Sequence, residues 1–337
     1  MNMFDKIGLV GCGSIGKKRA AALRHRSHLV CFDVNSKLSK DFATQNPHTQ
    51  SVDSADQIIK DPQIHVILIA TPHDALAELI FRSLKERKFV FVEKPAAKNS
   101  FELDKIIKAF RDEALKKVRV GFNHRYHPAI QKAKEIVDRG ELGRLMFIRA
   151  RYGHGGRLNY HKEWRANPQI SGGGELIDQG VHLIDLARYF LGNFSEIDGF
   201  AHTYYWDMPV EDNGFLLLKT KDKKTAFLHA SCTEWKNTFS FEIYGELGKL
   251  HVEGLGGSYG VEKLAFYSLR PEMGPPDTVI WEFPGPDTSW EVELNEFFED
   301  ISFSRNPAAN LKDAVAALNI VEKIYQRSNY DYYKIPT

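Results

Sequence analysis

The sequence predicts an α/β Rossmann domain with a mostly parallel, doubly wound sheet, followed by an α+β domain built on a large, mostly antiparallel sheet. Three observations predict it. A G-x-G-x-x-G turn lies between a short apolar run and a helical pattern near the N-terminus. Strand-like and helix-like segments then alternate as far as residue 122. From about residue 145, strand-like runs follow one another with turn signals between them and little regular helix. With 337 residues the chain exceeds one ordinary core, so two domains are expected, 1–122 and 123–337.

Taken in order, Lys6 to Val10 reads as the first strand, and Gly11-Cys12-Gly13-Ser14-Ile15-Gly16 opens a helix running from about Ser14 to Arg26. In that context the first glycine permits the tight turn and the second lets the backbone approach a pyrophosphate. The third allows close helix–strand packing, and the helix N-terminus attracts the anion. A second strand, starting at His28, ends in Asp33, 22 residues after Gly11. A carboxylate there accepts hydrogen bonds from ribose hydroxyls and repels a 2′-phosphate, so NAD is the expected cofactor. Helices over 36–45 and 54–60, a strand over 64–70, a helix over 75–87, a strand over 88–92, a helix over 101–116 and a strand over 118–122 continue the alternation. Ligands of such sheets lie beyond the carboxyl ends of the strands. That places Thr71, Pro72, Glu93 and Lys94 beside Gly11, Gly13, Ser14, Ile15, Gly16 and Asp33 as candidate cofactor-binding residues. A partly desolvated Lys94 can act as an acid or base, while its position alone equally allows a surface lysine. Pro95 is a candidate for a cis bond.

The domain boundary should fall near Gly121–Pro128, a polar and aromatic crossing segment that holds Asn123, His124 and His127. The two histidines have no third ligand at recognisable spacing, so no metal is expected. A helix over 129–139 precedes strands at 145–152, 196–206, 214–220, 225–232, 239–244, 248–253, 261–268 and 279–283. One face of that sheet must be covered by the helix over 176–191; the other, if large and apolar, would serve self-association. Helices near 290–304 and 311–328 close the chain, and Tyr330-Asp331-Tyr332-Tyr333 is a tail expected to dock on the fold.

The second half of the site is expected around Gly172-Gly173-Gly174. An apolar-periodic helix follows from 176 to 191 and carries Asp178 and His182 four residues apart on one face, with Asp185 three further on and able to touch the same imidazole. A carboxylate beside an imidazole makes an oriented proton-transfer pair, or else a buried histidine held for stability. The loop before the glycines is basic and aromatic, with His154, Arg157, Tyr160, His161, Lys162, Trp164 and Arg165. Arg157 and Arg165 suggest a grip on a phosphate or carboxylate, hence an anionic or nucleotide-linked substrate. Asn123, Arg157, Trp164, Arg165, Asp178 and His182 are the candidate substrate-binding residues.

Composition narrows the alternatives. A net charge of +1 with acids and bases evenly mixed argues against a nucleic-acid or membrane-surface binder. No apolar run nears the roughly 20 residues needed to cross a bilayer, and the N-terminus lacks a signal-peptide pattern. Three scattered cysteines, Cys12, Cys31 and Cys232, fit reduced thiols in a cytoplasm.

The glycine motif at 11–16, Asp33, Glu93-Lys94-Pro95, Trp164-Arg165 and G-G-G-x-x-x-D-x-G-x-H-x-x-D from Gly172 to Asp185 together resemble the glucose–fructose oxidoreductase, inositol dehydrogenase and MocA family over nearly the whole chain. The resemblance implies NAD-dependent hydride transfer at a secondary hydroxyl or ketone of a sugar, cyclitol or sugar derivative. It places the family's catalytic lysine on Lys94 and its conserved Asp and His on Asp178 and His182. Thr71-Pro72-His73 departs from it, since the family more often has Asn after the proline. Relatives that hydrolyse glycosides through transient oxidation, and non-enzymatic sensors, are the competing readings.

Overall fold

The computed structural model describes residues 3–23 and 27–331, and they form two compact units. The expected end of the first helix at Arg26, and Tyr332 and Tyr333 of the tail, lie outside the described residues.

The first unit comprises residues 3–122 and 290–315. Its elements are β1 (Lys6–Val10), α1 (Ser14–Ala22), β2 (His28–Phe32), α2 (Ser36–Gln45), β3 (Thr49–Ser51), α3 (Ala55–Ile59), β4 (Val66–Ile69), α4 (His73–Lys85), β5 (Phe89–Glu93), α5 (Ser100–Phe110), α6 (Asp112–Lys117) and β6 (Val118–Gly121). The strands form one sheet in the order β3-β2-β1-β4-β5-β6, and every neighbouring pair is parallel. All four residues of β4 are buried, as a strand covered on both faces requires. The expected helix over 101–116 is two helices, because Arg111 turns the chain with φ +51°.

The second unit comprises residues 123–289 and 316–331. It contains α7 (Pro128–Asp138), β7 (Leu145–Gly153), α8 (Pro168–Ser171), α9 (Val181–Leu191), β8 (Phe194–His202), β9 (Asn213–Thr220), β10 (Thr225–Ser231), β11 (Thr238–Gly245), β12 (Gly248–Glu253), β13 (Glu262–Ser268) and β14 (Asp277–Phe283). The eight strands run in the order β14-β13-β12-β11-β7-β10-β9-β8. Every neighbouring pair is antiparallel except β7 with β10. A parallel pair needs a crossover, and the connection between those two strands includes α9, which packs on both. Residues of the covered face, such as Ile148, Leu228 and Phe241, are buried, while Phe147, Leu217 and Phe227 of the opposite face are exposed. That open face is mixed, since Glu242 holds Arg149 and Lys249 at 2.5 Å among the aromatics.

The sequence put everything after residue 122 in the second domain, but 290–315 belongs to the first unit. This segment carries most of α10 (Ser289–Ser302) and the start of α11 (Leu311–Arg327). Leu294 and Phe297 of α10 join the core with Ile7, Leu9, Leu68 and Phe91. Glu293 and Asp300 meet the fully buried Arg19 and Arg119 at 2.7 and 2.6 Å.

Candidate functional site

In the first unit, the chain turns at Gly11 with φ +100°, a conformation that favours glycine. A side chain at Gly16 would overlap the carbonyl oxygen of Gly11, so this glycine is needed for packing. Gly13 differs: a Cβ there meets nothing within 4 Å. Its backbone therefore faces open space at the N-terminus of α1, with Ser14 exposed and Ile15 half-buried behind it. Asp33 follows β2, and its carboxylate accepts from the Cys12 amide at 2.8 Å and the Asn35 amide at 2.9 Å. Each oxygen keeps a lone pair for a hydroxyl. An open glycine at a helix N-terminus and an oriented carboxylate fit the pyrophosphate and ribose of a dinucleotide.

Thr71 and Pro72 follow β4, and Pro72 caps α4. His73 begins that helix and is buried. Lys94 follows β5 directly and is half-buried, and the Lys94–Pro95 bond is cis. Glu93, named with the cofactor-binding residues, has its carboxylate on the Nε of buried Arg19 at 2.6 Å. Arg19 also reaches Glu293 and lies against the rings of Phe91 and Trp290, with centroids 4.2 and 4.4 Å from its guanidinium carbon. Sequence reasoning missed Arg19, because its partners lie 74 and 274 residues away and no local pattern announces them.

In the second unit, the glycines permit close approach. Gly173 has φ +156°, and a side chain there would overlap the Tyr325 hydroxyl; one at Gly174 would overlap the Glu211 carbonyl oxygen. The fully buried Glu211 carboxylate accepts from the amides of Gly174 and Leu176, both at 2.9 Å, and from the Tyr325 hydroxyl at 2.8 Å. Burial pushes Glu211 up to about 6 despite those donors. Glu211 and Tyr325 thus clamp the start of the helix, and neither was found in the sequence.

The expected helix over 176–191 begins differently. Leu176–Gly180 is a π-turn, and the α-helix proper is α9. The simple four-residue spacing from Asp178 to His182 therefore spans a change of helix type, a feature often found at functional sites. Both residues are 4% exposed. The Asp178 carboxylate accepts from Arg165 Nε at 2.8 Å, and this attraction raises the already high pKa of Arg165. The His182 ring lies 3.8 Å from that of His124, centroid to centroid. Asp185, expected as able to touch the same imidazole, is gripped through both oxygens by the Arg125 guanidinium, at 2.7 and 2.5 Å. His127 lies 2.9 Å from Glu262, and no cluster of potential metal ligands occurs among the described residues.

The loop residues gather beside Asp178. Arg157, Tyr160, Arg165 and Asp178 line a cavity of about 270 Å³ together with Asn237 and Tyr259. The Trp164 ring is half-buried, with the Arg165 guanidinium carbon 4.5 Å from its centroid. Asn123 is buried and donates to Ser289 Oγ at 3.0 Å. The arginines, expected from the sequence to grip an anion, are here paired with carboxylates of the chain. Arg157 donates to both oxygens of Glu163 at 2.6 and 2.5 Å, and Arg165 lies on Asp178 with Glu163 3.6 Å away. The sequence could not show that Glu163 lies between them in charge as well as in the chain.

Both parts of the chain are similar to known proteins. Residues 6–122 match the family model described as "Oxidoreductase family, NAD-binding Rossmann fold", and residues 130–251 match "GFO/IDH/MocA C-terminal domain". A levoglucosan dehydrogenase of Pseudarthrobacter phenanthrenivorans is 31% identical over 223 residues, 62% of this chain and 56% of that protein. A myo-inositol 2-dehydrogenase of Thermotoga maritima is 28% identical over 204 residues, 56% of this chain and 55% of that protein. The match thus spans little more than half the length of these curated relatives. The solved structure of a levoglucosan dehydrogenase in complex with NADH and levoglucosan superposes with a TM-score of 0.84 at 25% identity, covering 96% of this chain and 97% of that one.

Proposed function

Because the chain belongs to the GFO/IDH/MocA oxidoreductase family, with the family's NAD-binding Rossmann fold over residues 6–122, we propose that it is an NAD-dependent dehydrogenase acting on a secondary hydroxyl, or the corresponding ketone, of a sugar or cyclitol. The observation that carries this reading is the pairing of an open glycine, Gly13, with the oriented carboxylate of Asp33 at the carboxyl edge of the parallel sheet. It fits a nicotinamide dinucleotide and disfavours a 2′-phosphate.

Gly11, Gly13, Ser14, Ile15 and Gly16 hold the pyrophosphate, Asp33 binds the ribose, and Thr71, Pro72 and Lys94 border the remaining cofactor. Glu93, held by Arg19, precedes Lys94 at the end of β5. The nicotinamide, when bound, supplies hydride-accepting and hydride-donating chemistry. His182 takes the hydroxyl proton as the carbinol is oxidised, and Asp178 orients the substrate and offsets the imidazolium charge. Lys94 donates a hydrogen bond to the reacting oxygen and stabilises its developing negative charge. Asn123, Trp164 and Arg165 shape the substrate site.

The exposed Phe147, Leu217 and Phe227 on the open face of the eight-stranded sheet favour self-association there, as a homodimer or homotetramer. Three buried free cysteines favour a reducing, cytoplasmic setting. No helix among the described residues is long and apolar enough to cross a membrane.

The assignment of roles is tested by His182→Ala and Lys94→Ala. Each should lower turnover about 10²–10⁴-fold while NADH still binds. Near-normal turnover in both would remove these residues from the chemistry.

A further inference from the structure

The arginines beside Asp178 are already paired. Arg157, Glu163, Arg165 and Asp178 form a chain of alternating charge, with contacts of 2.5, 3.6 and 2.8 Å along it. Each guanidinium is answered by a carboxylate of the chain itself. The other polar groups present are neutral: Asn237, Gln179, Ser258 and the hydroxyls of Tyr160 and Tyr259. Burial holds both tyrosines protonated, and burial lowers His154, which leaves that ring uncharged at neutral pH. Amides and hydroxyls of this kind match the donors and acceptors of a polyol.

Building on the dehydrogenase reading, we propose that the pocket takes an uncharged sugar or cyclitol, and that Glu163 sets this preference by occupying the arginines an acidic substrate would need. A phosphate or carboxylate entering the cavity must displace Glu163 from a bidentate grip on Arg157. The displaced carboxylate then remains nearby, and Asp178 adds a second negative charge. Like charges so placed oppose binding, with solvent screening the contribution of the outer Arg157–Glu163 pair and the buried Asp178 contributing more. The volume, about 270 Å³, lies just under the about 300–1,000 Å³ of pockets for drug-sized ligands. A single sugar or cyclitol ring is of a size to enter it.

Glu163 is a positioning residue here, because it acts through Arg157 and Arg165 rather than through the reacting atoms. Its signature is therefore a change of specificity and not a general loss of rate. The experiment compares kcat/KM for uncharged probes, levoglucosan and myo-inositol, with that for acidic probes, glucose 6-phosphate and glucuronate. The native enzyme should prefer the best uncharged probe by at least about tenfold. Glu163→Gln, which keeps the shape and removes the charge, should shift the ratio toward the acidic probes by roughly tenfold or more. Glu163→Asp should restore the native order. A native preference for the acidic probes, or an unchanged ratio in Glu163→Gln, overturns the proposal.

Inorganic phosphate gives a readout that needs no turnover. Titrated calorimetrically into NADH-saturated protein, it should bind Glu163→Gln and not the native protein, and the additional change Arg157→Ala should abolish that binding. Equal phosphate affinity in the native and Glu163→Gln proteins also overturns the proposal. If no carbohydrate is oxidised by any variant while phosphate binds as expected, the dehydrogenase reading fails and the charge-masking role of Glu163 stands.

Discussion

Arg165 Nε lies 2.8 Å from Asp178 Oδ2, and this ion pair fixes the carboxylate at the start of the helix that carries His182. Arg165 is about a quarter exposed, so solvent screening trims the strength of the pair without abolishing it. Arg165→Met should lower kcat/KM roughly 10- to 100-fold, with NADH affinity nearly unchanged. Steady-state kinetics alongside NADH fluorescence titration check this. A variant with native kcat/KM would show that Asp178 needs no such anchor.

Two glycines of the first unit predict opposite signatures. Gly13 is extended, with φ −70° and ψ −167°, and has open space before it. Gly13→Ala should therefore leave the thermal midpoint within about 2 °C of native, since surface changes cost little. It should weaken NADH binding at least about tenfold, because its methyl group occupies the approach of the pyrophosphate. Gly16→Ala should instead destabilise the fold, because its Cβ overlaps the Gly11 carbonyl oxygen. Thermal scans with and without NADH separate the two.

Gly174→Ala tests the clamp in the second unit. The added carbon would collide with the backbone oxygen of Glu211, which cannot swing away as a side chain can. We expect a loss of about 2–4 kcal/mol of stability in the second unit and a large fall in activity. NADH binding should persist. Urea unfolding and NADH titration measure both, and full activity in this variant would contradict the packing described.

These tests show how much of the molecule its sequence displayed. The succession of strands and helices in the first unit and the glycine turn were legible because each depends on a local pattern, a period or a spacing. The π-turn at Leu176–Gly180 was not, since the apolar periodicity there also suits an α-helix. The three-residue strand Thr49–Ser51 was missed because it is short and polar. Arg19 was not singled out, yet its guanidinium is buried between two acids from distant segments. The partners of Arg157 and Arg165 were hidden for the same reason. Residue type shows that a guanidinium can grip an anion, but only the fold shows that Glu163 and Asp178 already serve as that anion.

Glu293 gives the protein a stability term that depends on pH. Burial pushes its carboxyl up to about 7, overriding the pull of Arg19 and Arg119. The native state therefore holds a proton between about 4.5 and 7 that the unfolded chain releases. Stability from this group is fully present below about 4.5 and is lost as pH rises through 7. Relative to Glu293→Gln, the native protein should lose on the order of 1–3 kcal/mol between pH 5 and pH 8. His154, His229 and His251, each lowered by burial, act in the other direction below about 6.5, but they are common to both proteins and cancel in the comparison. Urea midpoints at the two pH values decide the matter, and parallel behaviour of the two proteins would contradict it.

The most direct test of the function is the stoichiometry of oxidation. The purified chain, NAD and an uncharged cyclitol or anhydrosugar should yield one NADH for each ketone formed, followed by absorbance and by mass spectrometry of the product. Glycoside cleavage without net NADH, or tight NADH binding with no oxidation of any carbohydrate tested, would contradict the assignment.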